Sequence, residues 1–153
     1  MHYAPAELFG SAILTLGPGR KPVLVISLVG AGDVVFLETC SAEITSGATP
    51  IVVDTKAVLA AELLSSTDGK LAQRNAYEVA TRWFDRLDTA IDDLFEAFDQ
   101  RTSPLTSIVI RHCHGVATEV PVEATAFGMC RPHFTTLIYG TRPPRTVFSG
   151  WRC

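Results

Sequence analysis

The sequence predicts an α+β domain: a mostly antiparallel β-sheet with helices packed on one face. Three observations carry this. Two apolar runs rich in β-branched residues, 11–16 and 22–29, flank a Gly-Pro-Gly turn. A helical pattern of apolar residues occupies 84–98. Three more strand-like stretches follow Pro104. Strands, then helices, then strands again is the order of an α+β layer rather than the alternation of a parallel α/β sheet.

Each element has its own signal. "SAILTL" and "KPVLVISLVG" form a hairpin around "GPGR", where glycine and proline punctuate the chain. The second run is apolar at nearly every position, which predicts a central strand covered on both sides. Asp33 is placed to cap a short helix reaching Ser46. "TPIVVDT" reads as a short strand or extended run, and "TKAVLAAELLSSTDG" as a short helix stopped by Gly69. Phe84, Leu87, Ile91, Leu94, Phe95 and Phe98 recur at helical spacing, with Asp88 as N-cap, Leu87 as its staple, and acids near the positive end of the helix dipole. Asp88, Asp92, Asp93 and Asp99 then form a solvated face, and Pro104 ends the segment. "TSIVIRHCHG" is a strand, "VATEVP" its partner, and "HFTTLIYG" the last strand. The strands at 23–29 and 105–110 are apolar on both sides, so the sheet face away from the helices is expected to meet a partner.

The 153 residues fit one domain with a real core. A net charge of −3 leaves no broad basic field, so nucleic acid is not an expected partner. Cys40, Cys113, Cys130 and Cys153 are scattered without a C-x-x-C pair, which reads as reduced thiols in a cytoplasmic protein. "MHYAPAELFG" has neither the basic nor the long apolar region of a signal peptide, and no apolar run approaches the ~20 residues of a membrane span.

The stretch that invites a chemical reading is "IRHCHG", residues 110–115. On a strand, His112 and His114 point to one face and Cys113 to the other, so the three cannot ligate one ion together. Two imidazoles at this spacing suit zinc if His133 or Cys130 adds a third ligand. No acid at a supporting position strengthens that reading. Structural histidines or the edge of a pocket remain the alternatives, and no metal ligand is assigned. Tyr139, near the end of the last strand, is either a hydrogen-bond donor to a bound ring or a core anchor with a wet hydroxyl. Arg131 and His133 flank Pro132 in a solvated turn or face an anion. Phe127 plugs a turn, "GAG" at 30–32 is a strand-to-helix turn too short for a phosphate loop, and Trp83 and Trp151 are packing residues.

Three stretches also resemble a known family. "RLDTAIDDLFEAFDQRTSPLTSIVIRH" is similar to an acidic amphipathic helix followed by a turn and a strand. "HGVATEVPVEATAFGMCRPHFTTLIYG" resembles a strand pair that opens on two glycines, a P-x-x-A-T-A-F-like turn and a returning strand. "SAILTLGPGRKPVLVISLVGAGD" resembles the hairpin that precedes a helix beginning near an Asp. In this order they resemble the substrate-binding half of bacterial FAD-linked oxidoreductases, in the berberine-bridge-enzyme-like branch of the vanillyl-alcohol-oxidase superfamily. The likeness runs over residues 4–144, and 145–153 ("RTVFSGWRC") match nothing in it.

The resemblance implies the cap-domain fold of FAD-linked oxidases, in which the sheet covers a flavin held by a separate N-terminal domain. That domain's Gly-rich pyrophosphate loop, its His or Cys flavin attachment and the family's later Tyr-x-Asn pattern do not occur here. FAD is thus the implied cofactor but is not expected to bind this chain alone. A flavin domain is expected from another chain, unless it has been lost.

Aligned this way, His114 replaces the first glycine of the pair, and Arg111 or His112 stands where the family places an acidic or polar side chain above the flavin. Arg111 stays protonated and cannot be a base. The resemblance makes Arg111, His112, His114 and Tyr139 the substrate-binding candidates, with no catalytic residue assigned. The expected ligand is a small organic or natural-product molecule. The alternative is a stand-alone dimer that binds a small molecule between its sheet faces, or a cofactor-free cyclase or isomerase of secondary metabolism.

Overall fold

The computed structural model describes residues 6–30, 33–65, 75–126 and 128–143. In chain order the elements are β1 (Leu8–Leu16), β2 (Pro22–Gly30), α1 (Val34–Thr45), α2 (Ala60–Ser65), β3 (Ala76–Phe84), α3 (Ile91–Asp99), β4 (Ser107–Cys113) and β5 (His133–Arg142). Short 3-10 turns occupy 18–20, 115–118 and 122–124. The five strands form one antiparallel sheet in the order β2-β1-β4-β5-β3. The predicted α+β class is the observed one.

The hairpin closes where Gly17, Pro18 and Gly19 foretell. Gly17 N–H donates to the Lys21 carbonyl at 2.8 Å, and Gly19 adopts φ +68°, a conformation that costs glycine little. β1 and β2 then pair in continuous register from Leu16–Pro22 to Leu8–Gly30. Asp33 caps α1 by accepting from Val35 N–H at 3.0 Å, a contact that contributes about 1 kcal/mol.

One face of the sheet is covered. Leu14 of β1 and Ile108 and Ile110 of β4 pack with Leu94 and Phe98 of α3, and Ala12, Leu16, Leu87, Phe134 and Ile138 surround them. Leu94 and Phe98 sit one helical turn apart, so both reach the sheet from one stripe of α3. At the far end of the same face, Leu37 of α1 lies against Gly30, where a side chain would meet it at 3.1 Å.

Register defines the opposite face. It presents Phe9, Val25, Tyr77, Val79 and Trp83, each between 44% and 50% exposed. The helices cover the other face only in part, since Leu24 (51%) and Ile26 (45%) of β2 are exposed on it, while on this face His133 and Thr141 are buried.

Three expectations need correction. β2 is an edge strand with most residues exposed, not a central one. Apolar composition on both sides of a strand does not specify a neighbouring strand at each edge. Residues 76–84 form β3, which the helical pattern through Phe84 and Leu87 obscured. The helix starts only at Ile91, and Asp88 engages Arg86 (Nε to Oδ1 3.0 Å) instead of capping. "VATEVP" is no strand. Thr118 Oγ donates to the Gly115 carbonyl at 2.8 Å and Ala124 N–H to the Pro121 carbonyl at 2.9 Å, closing 3-10 turns in place of a ladder. Of the two readings of "TPIVVDT", the strand does not form and an irregular run remains, with Ile51, Val52 and Val53 exposed. The short helix expected after Thr55 is α2. Gly69, Ala31, Gly32, Phe127 and the 145–153 tail with Trp151 and Cys153 lie outside the described residues.

Candidate functional site

β4 is the middle strand, and its alternation divides the "RHCH" residues. His112 belongs to the covered face beside its cross-strand neighbour Phe134, and the two rings stack with centroids 4.6 Å apart. His114 stacks on His112 at 4.2 Å, and its Nδ1 lies 3.4 Å from the His112 carbonyl. Cys113 belongs to the other face, with Sγ 3.5 Å from the Thr135 hydroxyl. Cys40, Cys113 and Cys130 are free thiols. Among the described residues no three His, Cys, Asp or Glu side chains converge where a metal ion could sit.

The His112 imidazole is held below its ordinary value. Partial burial penalises the cation first, and the nearby His114 and His133 add repulsion. The unfolded chain therefore binds this proton more readily than the folded one. The stability that a neutral His112 contributes is intact above about 6.5 and is lost as pH falls from there towards the depressed folded value. The variant His112→Phe keeps a stacked ring without the titration. Thermal melts at a series of pH values are expected to decline less steeply below neutrality for the variant. Parallel declines in the two proteins would show that His112 carries none of this dependence.

Arg111 projects from the open face. It is exposed and makes no ion pair with a described residue. Its cross-strand neighbours are Ser11 on β1 and Thr135 on β5. Ser11 in turn pairs with Ser27 on β2, and Thr135 with Trp83 on β3. One register line therefore crosses all five strands as Ser27, Ser11, Arg111, Thr135 and Trp83. The parallel line one pleat along is apolar: Val25, Ile13, Val109 and Leu137, ending at Thr81. Tyr139 shares this face, half-buried between Ser107 and Val79, four residues and roughly 13 Å along β5 from Thr135.

The four candidates thus fall into two pairs: Arg111 and Tyr139 on the open face, His112 and His114 stacked together on the covered side. Sequence reading missed Ser11, Thr135 and Trp83, which only strand pairing brings beside Arg111. The one usable signal was the alternation of Tyr77, Val79, Thr81 and Trp83, all good strand formers at period two. Trp83 is 50% exposed and not a packing residue of the covered core. His133 is buried rather than in a solvated turn, its Nδ1 2.6 Å from the Arg131 carbonyl, while Arg131 pairs with Asp85 at 3.0 Å. A cavity of about 390 Å³ lies elsewhere, between α1 and residues 53–55. Glu38, Ser41, Ala42, Thr45, Val53 and Thr55 line it, and none of the candidates does.

No family model matches the sequence, and no curated protein matches it. Among solved structures the chain is similar to BBE-like #28 from Arabidopsis thaliana, with a TM-score of 0.63 and 13% identity. The match covers 88% of this chain and 31% of that one, so the chain spans less than a third of that protein's length. At this identity the likeness is one of fold. No helix among the described residues is long and apolar enough to cross a membrane.

Proposed function

We propose that this chain is the substrate-side sheet domain of an FAD-linked oxidoreductase assembly, its open face laid over a flavin held by residues outside this sequence. The observation that carries the reading is the open face itself, on a fold similar to that of a BBE-like protein. Ile13, Val109 and Leu137 form an apolar strip across its three inner strands, a surface that suits the face of a planar ring. When bound, the flavin supplies the two-electron chemistry.

This chain's residues bind and orient a small organic substrate and keep water from it. Arg111, always protonated, holds a polar or anionic group. The Tyr139 phenol gives a second hydrogen-bonding point on the same face. His112, stacked between His114 and Phe134, supports the central strand from behind.

The test is a titration of the purified chain with FAD, read by flavin absorbance and fluorescence and by light-scattering mass. Because the flavin is held by residues outside this sequence, the chain alone is expected to be a colourless monomer, and any saturable quenching by FAD should be abolished by Val109→Glu in the middle of the strip. A colourless dimer indifferent to FAD would overturn the reading. The alternative then gains: a stand-alone dimer whose exposed Phe9, Val25, Tyr77, Val79 and Trp83 are covered by a second copy.

A further inference from the structure

We propose that the register line through Ser11, Arg111, Thr135 and Trp83 is a binding site for a planar aromatic carboxylate. The proposal rests on the open face being the ligand side, as above, and it adds the chemical class of the ligand.

The first support is where the charge lies. Arg111 is the one Asp, Glu, Lys or Arg among the strand residues of this face, and it stands on the middle strand. Charges that serve solubility belong on edge strands, where they also discourage pairing with another chain. Here the edge strands show the open face only uncharged residues: Val23, Val25, Ser27 and Val29 on β2, and Tyr77, Val79, Thr81 and Trp83 on β3. A cation at the centre of an uncharged surface is the reverse of a solubilising pattern. It is the pattern of a surface that awaits one anionic group.

The second support is the neighbours. Ser11 and Thr135 flank Arg111 one strand spacing away on either side, roughly 4.8 Å. The guanidinium fork matches the two oxygens of a carboxylate, and hydroxyls at its sides donate to the lone pairs it leaves over. The Thr135 oxygen is within reach of the Cys113 thiol, which can donate to it and leave its own O–H directed at a ligand. Trp83 stands one strand beyond Thr135, about 10 Å from Arg111 in strand spacings, with half its surface open. An aryl group attached to the bound carboxylate lies over Thr135 towards that indole, which offers a stacking face. A non-aromatic anion would leave Trp83 unused, and a neutral arene would leave Arg111 unused.

Calorimetric titration of the full chain with cinnamate and with cinnamamide, its neutral counterpart of the same shape, tests the site. Cinnamate is expected to bind roughly tenfold or more tightly than the amide, the difference a charge-assisted pair makes. Arg111→Gln should erase the preference and Arg111→Lys keep part of it. Trp83→Leu should weaken both ligands by a similar factor. Arg142→Gln, on the covered-face side of β5, should change neither. If Arg111→Gln fails to fold, the wild type still decides, because the preference for cinnamate must shrink as sodium chloride is raised. Equal affinity for acid and amide, or a preference that survives Arg111→Gln, overturns the proposal. FAD quenching without any acid preference removes only this ligand class. Acid preference in a colourless dimer indifferent to FAD keeps the site and removes the flavin reading.

Discussion

The variant Phe98→Ala is expected to lose about 3–5 kcal/mol of stability. Phe98 is 1% exposed and is the side chain of α3 that reaches deepest into the cluster with Leu14, Leu94, Ile108 and Ile110. Truncating a buried Phe costs about 3–5 kcal/mol, while a whole domain is stable by roughly 5–15 kcal/mol. Arg101 adds to the same anchor: its guanidinium lies 4.3 Å from the Phe98 ring centre, and Nη1 donates to the Phe98 carbonyl at 2.7 Å. Urea denaturation followed by far-UV circular dichroism measures the loss. A change below about 1 kcal/mol would mean that α3 is not the second layer of the core.

The second large effect is expected at Gly115. This residue ends the "RHCHG" stretch with φ +66°, and a β-carbon there would lie 2.7 Å from the Ala6 carbonyl oxygen. Two penalties therefore fall on Gly115→Val. A β-branched residue is strained in the left-handed region by about 1–3 kcal/mol, and the clash is with backbone that has no rotamer to escape into. The variant should lose a few kcal/mol and free the segment ahead of β1 from the turn after β4. Gly47→Val is the control, since nothing lies within 4 Å of that position and its φ is not positive. A surface change of that kind alters stability by about 0.5 kcal/mol or less. Similar melting temperatures for the two variants would contradict the close packing of Gly115 on Ala6.

Local chemistry was readable where it is decided locally. The Gly-Pro-Gly turn, the Asp33 cap, α2 after Thr55 and the strands at 107–113 and 133–142 all follow from residues within a few positions of one another. What failed depends on distant partners. β2 has the composition of a central strand, yet its place at the edge is set by which strand β1 also accepts. β3 was lost because Phe84 and Leu87 happen to continue the spacing of Ile91, Leu94 and Phe98, although the chain between them turns at Arg86 and Asp88. "VATEVP" stands between two strand-like stretches, but Thr118 and Pro121 close local turns there. The candidate site divides in the same way. Alternation correctly separates His112 and His114 from Cys113. It says nothing of Ser11 or Trp83 beside Arg111, because those neighbours come from registers between strands far apart in the sequence.

The pairing of β1 with β4 joins Ser11 to Arg111, a hundred positions later in the chain. The β1–β2 hairpin forms from local contacts, as does the β4–β5 pair. The seam between them needs a loop closed over most of the polypeptide, and non-local pairing of this kind slows folding. On a ribosome adding roughly 5–20 residues per second, β1 waits several seconds after Gly30 emerges before β4 exists to receive it. During that interval two strands of valine, leucine and isoleucine stand with both edges bare. The nascent chain thus shows more unpaired strand edge than the finished sheet does.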